Sequence, residues 1–126
     1  MQKLKKINSC GFFHQTSESN MKSIIENGFV VESGGNQRFT EGIYFLKHPE
    51  GEYGEKTIRA CVQGNFLDLT DDEWGDTWRE LKKEHRWKNY AELTDYLKKE
   101  SKADGIIFPG MLVVWDTKKI KDIHKI

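Results

Sequence analysis

The apolar residues of this chain fall in short runs whose period changes along its length. Cys10-Gly11-Phe12-Phe13-His14 is compact and reads as a short buried strand. Behind it, Met21, Ile24 and Ile25 share one face of a helix over roughly 18–27. Ser17 or Ser19 can cap that helix, and Gly28 stops it as an αL residue. Phe29-Val30-Val31 reads as a brief strand, and residues 32–41 (ESGGNQRFTE) as a polar loop. GIYFL at 42–46 is the next strand, with a glycine at its mouth, and HPEGEYGEK after it is a turn. TIRACV and NFLDL then predict two strands on either side of a Gln63-Gly64 turn.

From residue 70 the period lengthens. Thr70 and Glu73 form a capping box, with Trp74, Trp78 and Leu81 following at helical spacing. A second helix starts at Asn89, with Glu92 three residues on and Tyr90, Leu93 and Leu97 along one face. Strand signals return in GIIF at 105–108, MLVVW at 111–115 and a last segment near IHKI. Strands at both ends with helices between them predict an α+β domain around a mainly antiparallel sheet.

Length and charge narrow the picture. At 126 residues, positions 1–126 are expected to form one domain with a core of its own. Twenty basic and twenty acidic residues balance to zero. That excludes a whole-protein field tuned to nucleic acid and leaves only a local patch. The start, MQKLKKINSC, lacks a long apolar stretch, and no run approaches a membrane span, so the expected setting is cytoplasmic. Cys10 and Cys61 sit in apolar runs and make neither a framework nor a zinc spacing; buried free thiols are expected.

The chemistry-bearing residues are sparse. His14, His48, His85 and His124 show no metal-ligand spacing, and no metal is expected. There is no glycine-rich nucleotide fingerprint and no nucleophile elbow. Trp74, Trp78, Trp87 and Tyr90, with lysines and Arg86 nearby, could serve as a nucleic-acid platform. The buried face of a helix pair is the plainer reading of the same stripe. What remains is a triplet: His14 in F-H-x-T-S, Tyr44 in G-I-Y-F and Tyr53 in E-Y-G. Each alone reads as packing.

Together and in this order they resemble the ADP-ribosyltransferase fold, in its diphtheria-toxin and poly-ADP-ribose-polymerase branch with an H-Y-E triad. FFHQTSESNMKSIIENGF at 12–29 is similar to its first motif and Gly42-Ile43-Tyr44-Phe45 to its second, with Tyr53-Gly54 as the following tyrosine. Asp104-Gly105-Ile106 and VVWDTKKI at 113–120 are similar to its closing strands. The resemblance implies an α+β fold with a split antiparallel sheet, an N-terminal helix and a central helix pair. It implies NAD as co-substrate. His14 would bond ribose hydroxyls, the Gln15 backbone would grip the nicotinamide amide, and Thr16 would support that loop. Gly42 would open the second motif, and Tyr44 and Tyr53 would sandwich the nicotinamide ring. An aromatic pair suits a flat cationic ring.

Two positions depart from the pattern. Gln15 stands where the family has glycine. Met111 stands where it has the triad glutamate, whose charge assistance to the transition state is worth about a few kcal/mol in a water-excluded site. An acceptor's carboxylate, or Glu41, Glu50 or Glu52, could stand in. Three expectations follow. The chain is a mono-ADP-ribosyltransferase acting on an acceptor macromolecule, a protein first and a nucleic acid second. Or it is a non-catalytic module that binds NAD, ADP-ribose or a protein. Or it is a small interaction protein whose tryptophan helices are the binding surface. No membrane partner is expected.

Overall fold

The computed structural model describes residues 3–31, 40–48, 55–71, 75–85 and 90–126. They form a mixed α+β fold of six strands and three helices. The order is β1 (Leu4–Thr16), α1 (Glu18–Asn27), β2 (Ile43–Leu46), β3 (Lys56–Asp68), α2 (Asp76–His85), α3 (Tyr90–Ser101), β4 (Gly105–Phe108), β5 (Met111–Val114) and β6 (Ile120–Lys125). A 3-10 turn at Thr117–Lys119 leads into β6, capped by Asp116, whose Oδ1 accepts the Lys118 N–H at 3.0 Å.

β1 runs antiparallel to β3 from Leu4↔Leu67 to Thr16↔Lys56. The other edge of β3 takes β6 at Ile58–Val62 and then, in parallel, β4 at Leu67↔Ile106. β4 and β5 form a tight hairpin, β5 pairs with β2, and β2 meets β1 at Phe13↔Leu46. The path β1-β2-β5-β4-β3 therefore returns to β1, and the sheet closes on itself.

Strand alternation divides the apolar residues between two sides. Phe12, Phe45, Ile58, Val62, Phe66, Leu112 and Val114 face one another in one cluster, sealed by Met21 of α1 and by Phe29. Tyr44, Ile106, Phe108, Met111, Val113 and Trp115 face the other way, under Trp78, Leu93 and Leu97 of the helix pair. Trp78 stands edge-on to Phe108 at 5.6 Å, so it is core. Trp74 and Trp87 of the same stripe lie outside the described residues. Gly105 is a close-approach glycine: a Cβ there would meet the Val113 carbonyl at 1.9 Å. Asp104 before it accepts the Asn65 N–H at 2.9 Å and ties the start of β4 to β3.

Several sequence expectations change here. Residues 29–31 are not a strand; Phe29 plugs the core and Val30 is 71% exposed. TIRACV and NFLDL are one strand, because pairing with β1 carries β3 straight through Gln63-Gly64. β1 starts at Leu4 rather than Cys10, since the same ladder holds its polar first half. Ile25 is exposed, while Met21 and Ile24 turn inward. Ser17 is the cap, its side chain accepting from the Asn20 N–H. Gly28 has φ 83° but ψ 176°, which is the glycine-only extended region rather than αL. Glu73 and Asn89 lie outside the described residues. Thr70 bonds Asp68 through its N–H (3.0 Å) and its hydroxyl (2.5 Å), holding that carboxyl below its usual range.

The cysteines are the plainest correction. Cys10 and Cys61 are joined in a disulfide, with Cys10 exposed and Cys61 half-buried, so they are neither free nor buried thiols. The register explains their meeting. A bulge puts Cys10 and Gly11 together opposite Cys61, between the pairs Ser9↔Val62 and Phe12↔Ala60. A bulge interrupts the ladder, and side chains take over its bonds: Arg59 Nε–H donates to the Cys10 carbonyl at 2.7 Å, and Ser9 Oγ accepts the Gly11 N–H at 3.1 Å. No helix among the described residues is long and apolar enough to cross a membrane.

Candidate ligand site where β1 and β2 part

His14 stands one position beyond the rung that joins β1 to β2. Its Nδ1 lies 2.7 Å from the Tyr44 carbonyl oxygen. A carbonyl only accepts, so Nδ1 carries the proton and Nε2 presents its lone pair. The ring stands edge-on to Phe29 at 5.1 Å and Phe45 at 5.9 Å. Phe29 and Phe45 meet at 5.4 Å and complete the apolar seat. Burial among these rings pushes the His14 pKa down, partly offset by the bond to Tyr44, so the imidazole is held neutral. No described residue donates to Nε2. The result is a half-buried, neutral acceptor with a fixed tautomer.

Tyr44 is held differently. Its hydroxyl donates to the Thr40 carbonyl at 2.6 Å, and its ring packs on the helix-covered cluster. Because Tyr44 and Phe45 alternate along β2, the rings of His14 and Tyr44 lie on opposite sides of that strand. The two residues meet through the Tyr44 backbone. Thr40 is fully buried, and its Oγ1 accepts the Trp115 Nε1–H at 2.8 Å. Thr94 of α3 accepts the Glu41 N–H at 2.9 Å. Residues 40–42 are thus fastened to Trp115, just past β5, on one side and to α3 on the other. Gly42 belongs to this clamp: a Cβ would come within 2.8 Å of both Val113 Cγ1 and the Val114 carbonyl.

The remaining site residues are arranged around these two. Gln15 and Thr16 complete β1 opposite Thr57 and Lys56, Gln15 half-buried and Thr16 buried. Met111 opens β5 opposite Leu46 and Phe108. It shares the Tyr44 side of the sheet, one diagonal step from it, and its half-buried thioether packs on the helix-covered cluster. Tyr53, Glu50 and Glu52 lie outside the described residues. No cluster of three or more histidine, cysteine or acidic groups among the described residues could hold a metal ion.

A cavity of about 660 Å³ opens between Phe29–Val31, the end of α3 and Trp115–Thr117. His14, Tyr44 and Met111 do not line it. Phe29, which also seats His14, and Trp115, which is bonded to Thr40, link it to the site. Sequence reasoning missed Phe29, Phe45, Thr40, Thr94 and Trp115. A threonine two residues before the second-motif glycine was the available signal for Thr40; no local pattern marks Thr94.

No protein-family model, curated protein or solved structure matches this chain.

Proposed function

We propose that this chain has an ADP-ribosyltransferase fold, binds NAD and moves ADP-ribose onto an acceptor macromolecule, a protein in first place. The observation that carries this reading is His14. Its proton is committed to the Tyr44 carbonyl, and burial keeps the ring neutral. Nε2 is therefore a ready acceptor for a ligand hydroxyl, at the point where the sheet parts. The helix after the histidine strand and the helix pair before β4 support the same reading.

In the transfer, the bond between nicotinamide and the ribose anomeric carbon breaks with its electron pair going to nicotinamide. The acceptor nucleophile forms the new bond to that carbon and loses its proton to solvent. His14 orients the sugar. The clamp at 40–42 fixes the strand that carries Tyr44.

A second reading is favoured by Met111. Its thioether sits among apolar groups and cannot stabilise positive charge on the sugar as a carboxylate does. In that reading the chain binds NAD without turning it over.

The test is incubation with NAD, following free nicotinamide, added mass and the melting temperature. The transferase reading expects nicotinamide release that His14→Ala abolishes. It also expects Met111→Glu to raise release by about tenfold or more, the order of one charge-stabilising group. No release from either protein, with NAD still raising the melting temperature, leaves the binding reading. No release and no thermal shift overturns both.

A further inference from the structure

We propose that the outer face of β3, where β1, β6 and the 3-10 turn meet it, binds nucleic acid through its phosphate backbone. The argument starts from a cavity of about 270 Å³ lined by Lys6, Gln63, Asn65, Lys118, Lys119 and Lys121. Three separate elements bring these lysines together. Lys6 stands opposite Asn65 on β1, and Lys121 stands opposite Cys61 on β6. The Asp116 cap fixes the turn that presents Lys118 and Lys119.

The charge is local. The chain as a whole is neutral, yet among the described residues lining this cavity four ammonium groups share one carboxylate, Asp104. That carboxylate already accepts the Asn65 N–H inside the sheet. None of the four lysines is ion-paired with a described carboxylate. Four like charges against one carboxylate still repel one another, and a polyanion relieves that repulsion while releasing its own counterions.

The lining selects among polyanions. Gln63 and Asn65 project two residues apart on the exposed side of β3, offering amide donors and acceptors to sugar and phosphate oxygens. No aromatic side chain among the described residues lines the cavity, so their contact falls on the backbone rather than on stacked bases, and no sequence preference is expected. No apolar side chain among the described residues lines it either, so none of the described lining would enter a bilayer. This face is the outer side of the β1–β3 ladder, whereas His14 faces inward. The proposal therefore stands independently of the transferase reading.

The experiment is fluorescence anisotropy with labelled oligothymidylate of about 20 nucleotides, longer than the roughly 4–16 nucleotide site of a small single-strand binder. Binding at low salt is expected, with a log–log salt slope of about −3 for four lysines on a single strand. Lys118→Glu/Lys119→Glu/Lys121→Glu should weaken it at least about tenfold and flatten the slope. The milder Lys118→Gln/Lys119→Gln should lower the slope by about 1.4, which keeps the test valid should the triple variant fail to fold. Lys22→Glu/Lys83→Glu, on α1 and α2, should bind as the parent does. No binding by the parent overturns the proposal. So does equal loss in the control variant, or binding to phosphatidylserine vesicles without binding to the oligonucleotide.

Discussion

Along one edge, β1 is paired with β3 from Leu4↔Leu67 to Thr16↔Lys56; along the other it meets β2, among the described residues, only at Phe13↔Leu46. The first edge is a ladder with a disulfide across it. The second is a junction that ends where the His14 side chain, rather than a backbone N–H, donates to the Tyr44 carbonyl. The ladder makes a strand rigid. The junction leaves a polar side chain with one nitrogen committed and, among the described residues, one open. A site needs both, because an acceptor is useful only when its support does not move.

The largest test of the comparison removes the ladder's core. Ile58 is fully buried and pairs with His14 across the ladder. Ile58→Ala should cost about 2–5 kcal/mol in urea denaturation, the range for a buried isoleucine truncated to alanine. A loss below about 1 kcal/mol would mean that the ladder is not what holds β1.

Next comes the disulfide, which closes a separation of 51 residues. Cys10→Ser/Cys61→Ser, or reduction of the parent, should lower stability by about 2–4 kcal/mol, by restoring freedom to the unfolded chain. Urea midpoints with and without reductant measure this. An unchanged midpoint would show the bulge to be held by Arg59 and Ser9 alone.

On the far side of β2, Thr40→Ala should cost about 1–3 kcal/mol. It leaves the buried Trp115 Nε1–H without its acceptor and loosens the clamp beside Tyr44. Thr40→Ser, which keeps the hydroxyl, should recover most of that loss. If serine and alanine are equally destabilising in thermal melts, the hydroxyl is not the anchor.

How much of this was legible in the sequence depended on range. The α+β class, the helix after His14 and the helix pair were readable, because each rests on local periodicity. The helix cap was readable as Ser17 or Ser19, and the structure selects Ser17. The ladder was not. The sequence from Leu4 to Ser9 has few apolar residues, and only pairing with β3 makes it a strand. The disulfide was hidden for the same cause: it depends on a bulge that brings Cys10 opposite Cys61, and no spacing in the chain encodes that register. In the site, His14 and Tyr44 were named from the chain, but their rings lie on opposite sides of β2. Their link, a side chain bonded to a carbonyl 30 positions on, has no sequence signature.

The smallest effect concerns protons, and it isolates the junction. His14 is neutral in the folded chain because burial lowers its pKa from the ordinary 6.5. In the unfolded chain it titrates at about 6.5. As pH falls below that value the unfolded state takes up a proton and the folded state does not, so stability falls with pH until the lowered folded pKa is reached. Above about 6.5 both states are neutral and the dependence vanishes. His14→Gln keeps a donor for the Tyr44 carbonyl and has nothing to titrate. Relative to it, the parent should lose at most about 1.4 kcal/mol per pH unit in that window. The other three histidines are common to both proteins and cancel in the difference. Urea denaturation at several pH values between about 5 and 7 reads the slope directly. A flat difference would mean that His14 meets water as freely in the folded chain as in the unfolded one. The edge-on seat between Phe29 and Phe45 would then not hold the ring, and Nε2 would lose the fixed direction on which the proposed ligand recognition at the junction depends.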